Sequence, residues 1–343
     1  MCDSSEDDED EEDEKDVNMS SSTGLVLKQL KTDDKKSKNE DEDDDDDDDD
    51  DDAEDEDDDD DEIDVEIEEN IFSLQNYYFF VTRILSHNYV AVYIAIDRIT
   101  KEKVCVKIVI KNDYSKKQPM ELKILSMISS ISNDTPAKSN LQTILKYFKS
   151  STSYVIVTKL HKESSFRRTL FDNSDDIKSC MKQLLSAVDL LHSIDIISRD
   201  IKPSNMLWNN ETKKLVLIDF DLSTFQNSTG HTAVLGTDGF IAPEVLLHEN
   251  KHESRQNDKT KSIATYDKKI DIYSSAIVFA SLIFKVREND VHLETIKGWK
   301  KSMTKNKNSL NSAKNLLRKM LNNDAKLRPS AKECLEHEYF KDS

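Results

Sequence analysis

Across residues 41–62 every position except Ala53 is acidic. No other feature restricts this chain so strongly. Such a run repels itself and offers no apolar surface whose burial could offset the entropy of ordering it. Folding is thereby left to the residues downstream of the run. Residues 1–70 hold 39 Asp and Glu against six Lys, a net of -33, with only 12 apolar residues. Residues 71–343 hold 30 acidic and 42 basic residues, a net of +12, and the two parts sum to the formal -21 of the chain. The expectation is a disordered acidic tail over 1–70 and a folded domain over 71–343. Apolar residues make up about 111 of the 273 in the second part, enough for a large core in one domain or two lobes.

Several classes are excluded early. The strong acidity argues against direct binding of nucleic acid through phosphate neutralisation. The four cysteines, Cys2, Cys105, Cys180 and Cys334, show no C-x-x-C spacing, so no disulfide framework or zinc site is expected and the setting reads as intracellular. No apolar run reaches the ~18 residues of a membrane span. The longest, residues 272–286, is broken by Ser274, Ser275, Ser281 and Lys285 and reads as a buried helix. No membrane association is expected. Asp3, Glu6 and Asp7 do not suit a signal peptide. The acidic run lacks the glycine that a calcium loop needs at its turn. The apolar island at 25–30 reads as a transient helix, with docking on a partner as the sharper alternative. Ile63, Val65 and Ile67 alternate with acids, a pattern that predicts an edge strand leading into the domain.

Downstream, residues 77–85, 89–96, 103–110 and 154–160 are rich in Tyr, Val, Ile and Phe and predict strands. Residues 118–131 carry Met120, Ile124, Met127, Ile128 and Ile131 at helical spacing. Ile177, Met181, Leu184, Leu185, Val188 and Leu191 mark a long amphipathic helix. Residues 249–269 are polar and read as a surface insertion. The fold class is α+β: a strand-rich lobe over about 71–160, then a helix-rich lobe over about 161–341.

Three motifs come in order. The first is Ser198-Arg199-Asp200-Ile201-Lys202-Pro203-Ser204-Asn205. Fourteen residues past Asn205 comes Asp219-Phe220-Asp221. The third is Gly236-Thr237-Asp238-Gly239-Phe240-Ile241-Ala242-Pro243-Glu244. In this order and spacing they resemble the catalytic loop, metal-binding motif and activation-segment end of a eukaryotic protein kinase, over about residues 77–341. The resemblance implies a bilobal kinase fold that uses ATP and Mg2+. Phosphoryl transfer depends on positioning and charge neutralisation more than on covalent help. On this pattern Asp200 accepts or orients the substrate hydroxyl proton and Lys202 steadies the γ-phosphate. Asn205 and Asp219 are hard oxygen ligands for magnesium. Lys107, in Val104-Cys105-Val106-Lys107, is the lysine for the α- and β-phosphates, and Glu121 is the helix carboxylate that pairs with it. Leu85, Val92, Cys105, Val157, Lys159 and Leu207 are implied to line the nucleotide site. Thr237 braces Asp200 and Lys202, Glu244 pairs with Arg328, and Asp271 caps the catalytic loop. Arg199 could meet a phosphate carried by Thr224, Ser228, Thr229 or Thr232, or be satisfied by carbonyls or a fixed carboxylate.

Three departures stand out. The loop that should cover the nucleotide, residues 85–92, has no glycine, although the family pattern is G-x-G-x-x-G. Its side chains would hinder close backbone approach to phosphates. Ser198 replaces a histidine, and Asp221 replaces a glycine. These departures admit a pseudokinase scaffold as an alternative. A further one is an acidic interaction protein whose tail binds basic partners such as histones.

Finer features narrow the resemblance. The interval from Lys107 to Glu121 is short, the strand after Tyr154 runs into His161-Lys162-Glu163-Ser164-Ser165-Phe166, and the catalytic loop continues as Met206-Leu207-Trp208-Asn209. Together these resemble the cell-division-control kinase of the DDK type, with parts shared by cyclin-dependent and casein kinases. Lys202-Pro203-Ser204-Asn205 with Gly236-Thr237 resembles the serine/threonine-specific pattern, and the DDK resemblance implies a nuclear site of action in replication initiation and an activating regulatory subunit. It also implies acceptors followed by acidic residues, the MCM helicase among the substrates. Ser4 and Ser5 precede acids in the same way, so the tail could compete with substrates for the basic domain.

Overall fold

In the computed structural model the described residues are 57–87, 89–111, 118–161, 164–165, 173–226, 233–246, 266–305 and 312–341. The readings made for most of the acidic tail, the island at 25–30, the acceptors Ser228, Thr229 and Thr232, and most of the insertion lie outside them. Two compact units emerge. One contains residues up to Lys117 together with Leu145–Thr158, and the other contains Gln118–Ile144 and Lys159–Ser343.

The first unit is a five-stranded sheet with a helix on one face. Helix α1 (Asp57–Leu74) precedes strands β1 (Tyr78–His87), β2 (Val90–Asp97), β3 (Lys103–Ile110), β4 (Ile144–Lys149) and β5 (Ser153–Lys159), ordered β1-β2-β3-β5-β4. The first three strands and β5 fall where their richness in Tyr, Val, Ile and Phe predicted them, while β4 was not anticipated. The edge strand expected over Ile63, Val65 and Ile67 is instead part of α1, which also carries the fold upstream of the boundary drawn at Ile71. The reason is packing. Ile67 and Leu74, seven residues apart, lie on one face of a helix, and both are buried in the sheet's core. Between them Asn70 accepts from Ser153 Oγ at 2.5 Å, while its Nδ2 donates to the Glu66 carbonyl at 2.7 Å. A helix anchored at its C-terminal half tolerates an acidic N-terminal turn, because the helix dipole favours negative charge at that end.

Period-two alternation sorts the sheet's faces. Ala91, Tyr93 and Ala95 on β2 and Val104, Val106, Ile108 and Ile110 on β3 point into the core beside α1. Val92, Cys105 and Lys107 therefore share the opposite face. Between β1 and β2 the pairing runs out to His87↔Val90, a two-residue connection where a glycine-rich loop was the family pattern. Register shifts between Phe80 and Thr82 and between Arg83 and Leu85 bend β1.

The second unit is mainly helical. It contains α2 (Met120–Ser130), β6 (Ser164–Ser165), α3 (Ser174–Ser193), β7 (Ile196–Ile197), β8 (Met206–Asn209), β9 (Lys214–Leu217) and β10 (Thr224–Phe225). Then come α4 (Lys269–Phe284), α5 (Leu293–Lys305), α6 (Ser312–Met320) and α7 (Ala331–Leu335). Both α2 and α3 match the predicted periodicities. Asn173 caps α3, accepting from the Asp176 amide at 2.7 Å. From Ile270 to Ser281 every residue of α4 is buried, as its apolar run requires, and α3 packs against it. Tyr266 is buried and Lys269 begins α4, so the end of the expected surface insertion belongs to the folded unit. Among the described residues no helix is long and apolar enough to cross a membrane.

Candidate active site

The second unit brings the motifs together through two short antiparallel pairings. Strand β7 pairs with β10, and β8 pairs with β9. Residues 198–205 link β7 to β8, and residues 218–223 link β9 to β10. Both connections therefore leave from the same two ladders. The Ile218 amide donates to the Asn205 carbonyl at 2.9 Å, which fixes Asp219 beside the end of the first connection.

Within that frame four side chains form a closed network. Lys202 Nζ lies 2.7 Å from Asp200 Oδ2 and donates to Thr237 Oγ1 at 2.6 Å. The Thr237 hydroxyl in turn donates to Asp200 Oδ1 at 2.7 Å. Asn205 Nδ2 donates to the Asp200 carbonyl at 3.0 Å and to its Oδ2 at 2.9 Å. With its amino group turned to Asp200, Asn205 has its amide oxygen as the remaining acceptor. The bracing expected of Thr237 is thus present.

The connection that carries Asp200 is held from below. Asp271 of α4 is fully buried. Its Oδ2 accepts from the Ser198 amide at 2.8 Å and its Oδ1 from the Arg199 amide at 2.9 Å. His192, at the end of α3, donates from Nε2 to Asp271 Oδ2 at 2.9 Å. Ser223 Oγ donates to the Ser198 carbonyl at 3.1 Å. Small Ser198 is thereby tied through its backbone, and the imidazole that reaches Asp271 comes from His192. Arg199 and Asp219 both adopt φ of +67°. Such left-handed geometry costs about 1–3 kcal/mol at a non-glycine residue and persists where the surroundings over-determine it. The Asp271 bond does so for Arg199. At Asp219 the Asp221 amide donates to Oδ1 at 3.2 Å.

The Arg199 guanidinium lies over the Tyr266 ring, 5.5 Å from its centroid. Burial lowers its pKa from the ordinary arginine value, against the opposing pull of Tyr266 and Asp271. Of the acceptors proposed to meet it, Thr224 is buried in β10 and paired with Ile197, which removes it as an exposed phosphorylation site.

Glu121, in the first turn of α2, is buried. Its carboxylate, with those of Asp219 and Asp221, forms a cluster of three whose oxygens lie within 4.8 Å of one another. These are hard oxygen donors of the kind that magnesium takes. The residue that replaces a glycine has thus added a carboxylate beside Asp219. The motif order had placed Glu121 opposite Lys107; Lys107 belongs to the other compact unit, on β3.

The other expected residues are spread over β1, β2, β3, β5 and β8. Val92 pairs with Lys107 and, across the other edge, with Leu85, which is exposed. Cys105 pairs with Ile94 and shares the face of Lys107. Val157 is a correction: it is buried with Val106 and Phe148 in the core beside α1. Alternation along β5 turns Ile156 and Thr158 to the opposite face, the one that carries Lys107. A strict period-two reading of residues 153–159 would have found Thr158. Lys159 has an exposed side chain, and its carbonyl accepts from Gln142 Nε2 at 3.3 Å. Leu207 lies on β8 opposite Val216. Glu244 and Arg328 form the expected pair, bidentate at 2.5 and 2.6 Å, with Arg328 fully buried.

A protein kinase domain family model matches residues 86–340. Calcium-dependent protein kinase 4 of Plasmodium falciparum is 27% identical over 268 residues, 71% of this chain and 46% of the relative. The probable serine/threonine-protein kinase fhkB of Dictyostelium discoideum is 29% identical over 281 residues, 77% of this chain and 23% of the relative. Calcium-dependent protein kinase 21 of Arabidopsis thaliana is 29% identical over 171 residues, 47% and 29% of the two chains. This chain spans less than half the length of these relatives.

Proposed function

This chain belongs to the protein kinase domain family, among the ATP-dependent serine/threonine kinases, and from that premise we propose that it is an active enzyme of the DDK type. The observation that carries activity is the closed network of Asp200, Lys202, Thr237 and Asn205. It fixes one Asp200 oxygen by Thr237 and the other by Lys202 and Asn205. Asp200 orients the substrate hydroxyl and takes its proton. Lys202, held between Asp200 and Thr237, presents its charge to the transferring phosphoryl group. Asn205 and Asp219 would hold magnesium, with Asp221 and Glu121 adding negative charge at the same place. Magnesium–ATP, when bound, supplies the phosphoryl group with its charge partly neutralised. Lys107 carries a positive charge for the nucleotide phosphates.

The DDK reading adds a nuclear role in replication initiation, an activating subunit, and acceptors followed by acidic residues, the MCM helicase among them. It is supported by the sequence features around residues 154–166 and 202–209 and by the +12 charge of residues 71–343. The names of the relatives favour a second reading, a calcium-regulated kinase of another pathway.

The test is transfer from Mg-ATP to peptides by the full chain, with and without added calcium. The acceptor serine is followed by acids in one peptide and by lysines in the other. Phosphorylation is expected, with the acidic peptide preferred and calcium without effect. Asp200→Asn is expected to lower kcat by about 10²–10⁴-fold. Equal rates for Asp200→Asn and the natural chain would leave a non-enzymatic scaffold. Preference for the basic peptide, or dependence on calcium, would sink the DDK assignment.

A further inference from the structure

The C-terminal part of the helical unit carries a groove that the phosphoryl-transfer residues do not use. It consists of two adjoining cavities, of about 600 and 490 Å³, which share Lys319, Glu333 and His337. The first is also lined by Lys269, Lys326 and Arg328. The second is rimmed instead by Glu336 and Glu338. One end is cationic and the other anionic.

The charges at the cationic end are only partly offset, since three lysines share the cavity with one carboxylate, Glu333. Arg328 is committed to Glu244. Lys269 Nζ donates to the neutral Arg328 carbonyl at 2.6 Å, and its charge acts on the Glu333 carboxylate that lines the same cavity. Lys319 and Lys326 are exposed, and among the described residues no ion pair engages either. The lining carboxylate, Glu333, accepts from the Ser330 amide and hydroxyl at 2.7 and 2.9 Å in a capping box, which holds its pKa below the ordinary value. His337 adds no charge. Its Nε2 donates to Asn315 Oδ1 at 3.1 Å and its Nδ1 accepts from the Tyr339 amide at 3.2 Å, an arrangement only the neutral ring can make. Burial and then the nearby Lys319 lower its pKa, against the opposing pull of Glu338. Like charges gathered in a concavity focus their field on what enters it.

We infer that this groove docks an extended peptide of a partner protein in which a cluster of acidic residues adjoins a basic one. The acidic cluster faces Lys269, Lys319 and Lys326, and the basic residue faces Glu336 and Glu338. The cavities hold several side chains, more than a lone phosphate group fills, and the change of sign along them sets the direction of the peptide. Leu327, 66% exposed beside Lys326, offers an apolar contact at the rim. The inference rests on the proposed preference for acidic substrates only in that such a peptide could belong to a substrate. Its test is binding without nucleotide, so either can fail alone.

A fluorescein-labelled peptide of six aspartates followed by two lysines is titrated against the full chain by anisotropy. Saturable binding is expected, weakened about tenfold or more between 0.05 and 0.5 M salt. The double variant Lys319→Glu/Lys326→Glu, at two exposed positions, is expected to bind at least about tenfold more weakly with an unchanged unfolding temperature. Glu336→Gln/Glu338→Gln is expected to weaken this probe but not an all-aspartate one. Asp200→Asn is expected to bind like the natural chain. Equal affinity for the lysine double variant overturns the inference. So does absence of binding by the full chain, the result if its own acidic run already fills the groove. Stronger binding of a phosphoserine peptide that lacks acids would assign the groove to phosphate instead.

Discussion

At the scale of single residues the site depends on hydroxyl and carboxylate groups that have no spare partners. Thr237 both accepts from Lys202 and donates to Asp200. Valine has nearly the same shape and can do neither. Thr237→Val is therefore expected to lower kcat by about ten- to a hundredfold, the worth of hydrogen bonds to charged groups. Steady-state kinetics should show little change in the peptide KM. This residue was legible in the sequence because Gly236-Thr237 comes after Asp219 at family spacing. The proximity of Asp221 and Glu121 to Asp219 was only half legible. Asp221 stands two residues from Asp219, but Glu121 lies about a hundred residues away on another element. Gly239 shows a similar limit. Its φ of +82° and a Val291 carbonyl placed where a Cβ would go require glycine there. Val291 is far along the chain, so nothing local announces the collision.

At the scale of elements, α1 is the main departure from expectation. Ile63, Val65 and Ile67 alternate like a strand, yet Ile67 and Leu74 repeat like a helix. Three residues of alternation are too few to separate the two periods, and the face offered by the sheet decides between them. Leu74 is fully buried in that contact. Leu74→Ala is expected to destabilise the domain by about 2–5 kcal/mol in denaturant unfolding. A change within about 0.5 kcal/mol, the range of a surface site, would mean that the helix is not part of the fold. The β1–β2 hairpin was legible as two strands, but not as strands paired out to His87↔Val90. Without glycine to open a loop, the ladder continues until the turn. Val157 illustrates the same rule on a fully buried strand, where apolar residues on both faces hide the alternation.

At the scale of the molecule, long-range pairs tie the helical unit together. Glu244 closes the third motif and Arg328 lies 84 residues later, before α7. Arg328 also donates from Nε to the Asn322 carbonyl at 2.7 Å and stacks on Tyr273, 4.9 Å from the ring centroid. Glu244→Ala would leave a buried guanidinium without its carboxylate. A loss of about 3–5 kcal/mol is expected, read as a lowered unfolding temperature. The charge difference between the two ends of the chain belongs to this scale as well. The basic excess beyond residue 71 is not uniform, since part of it gathers at the groove formed by Lys269, Lys319 and Lys326.

The sequence by itself determined the order of the motifs, the helix and strand periods, and the concentration of the acidic excess in the first 70 residues. Each depends on residues close together in the chain, or on their order along it. Only the tertiary structure decided that α1 is a helix, that Val157 faces the core, and that Glu121 joins Asp219 and Asp221. It alone showed that three lysines from separate elements share one cavity. These outcomes depend on what packs against a segment, and such contacts arise between residues that the chain keeps far apart until it folds.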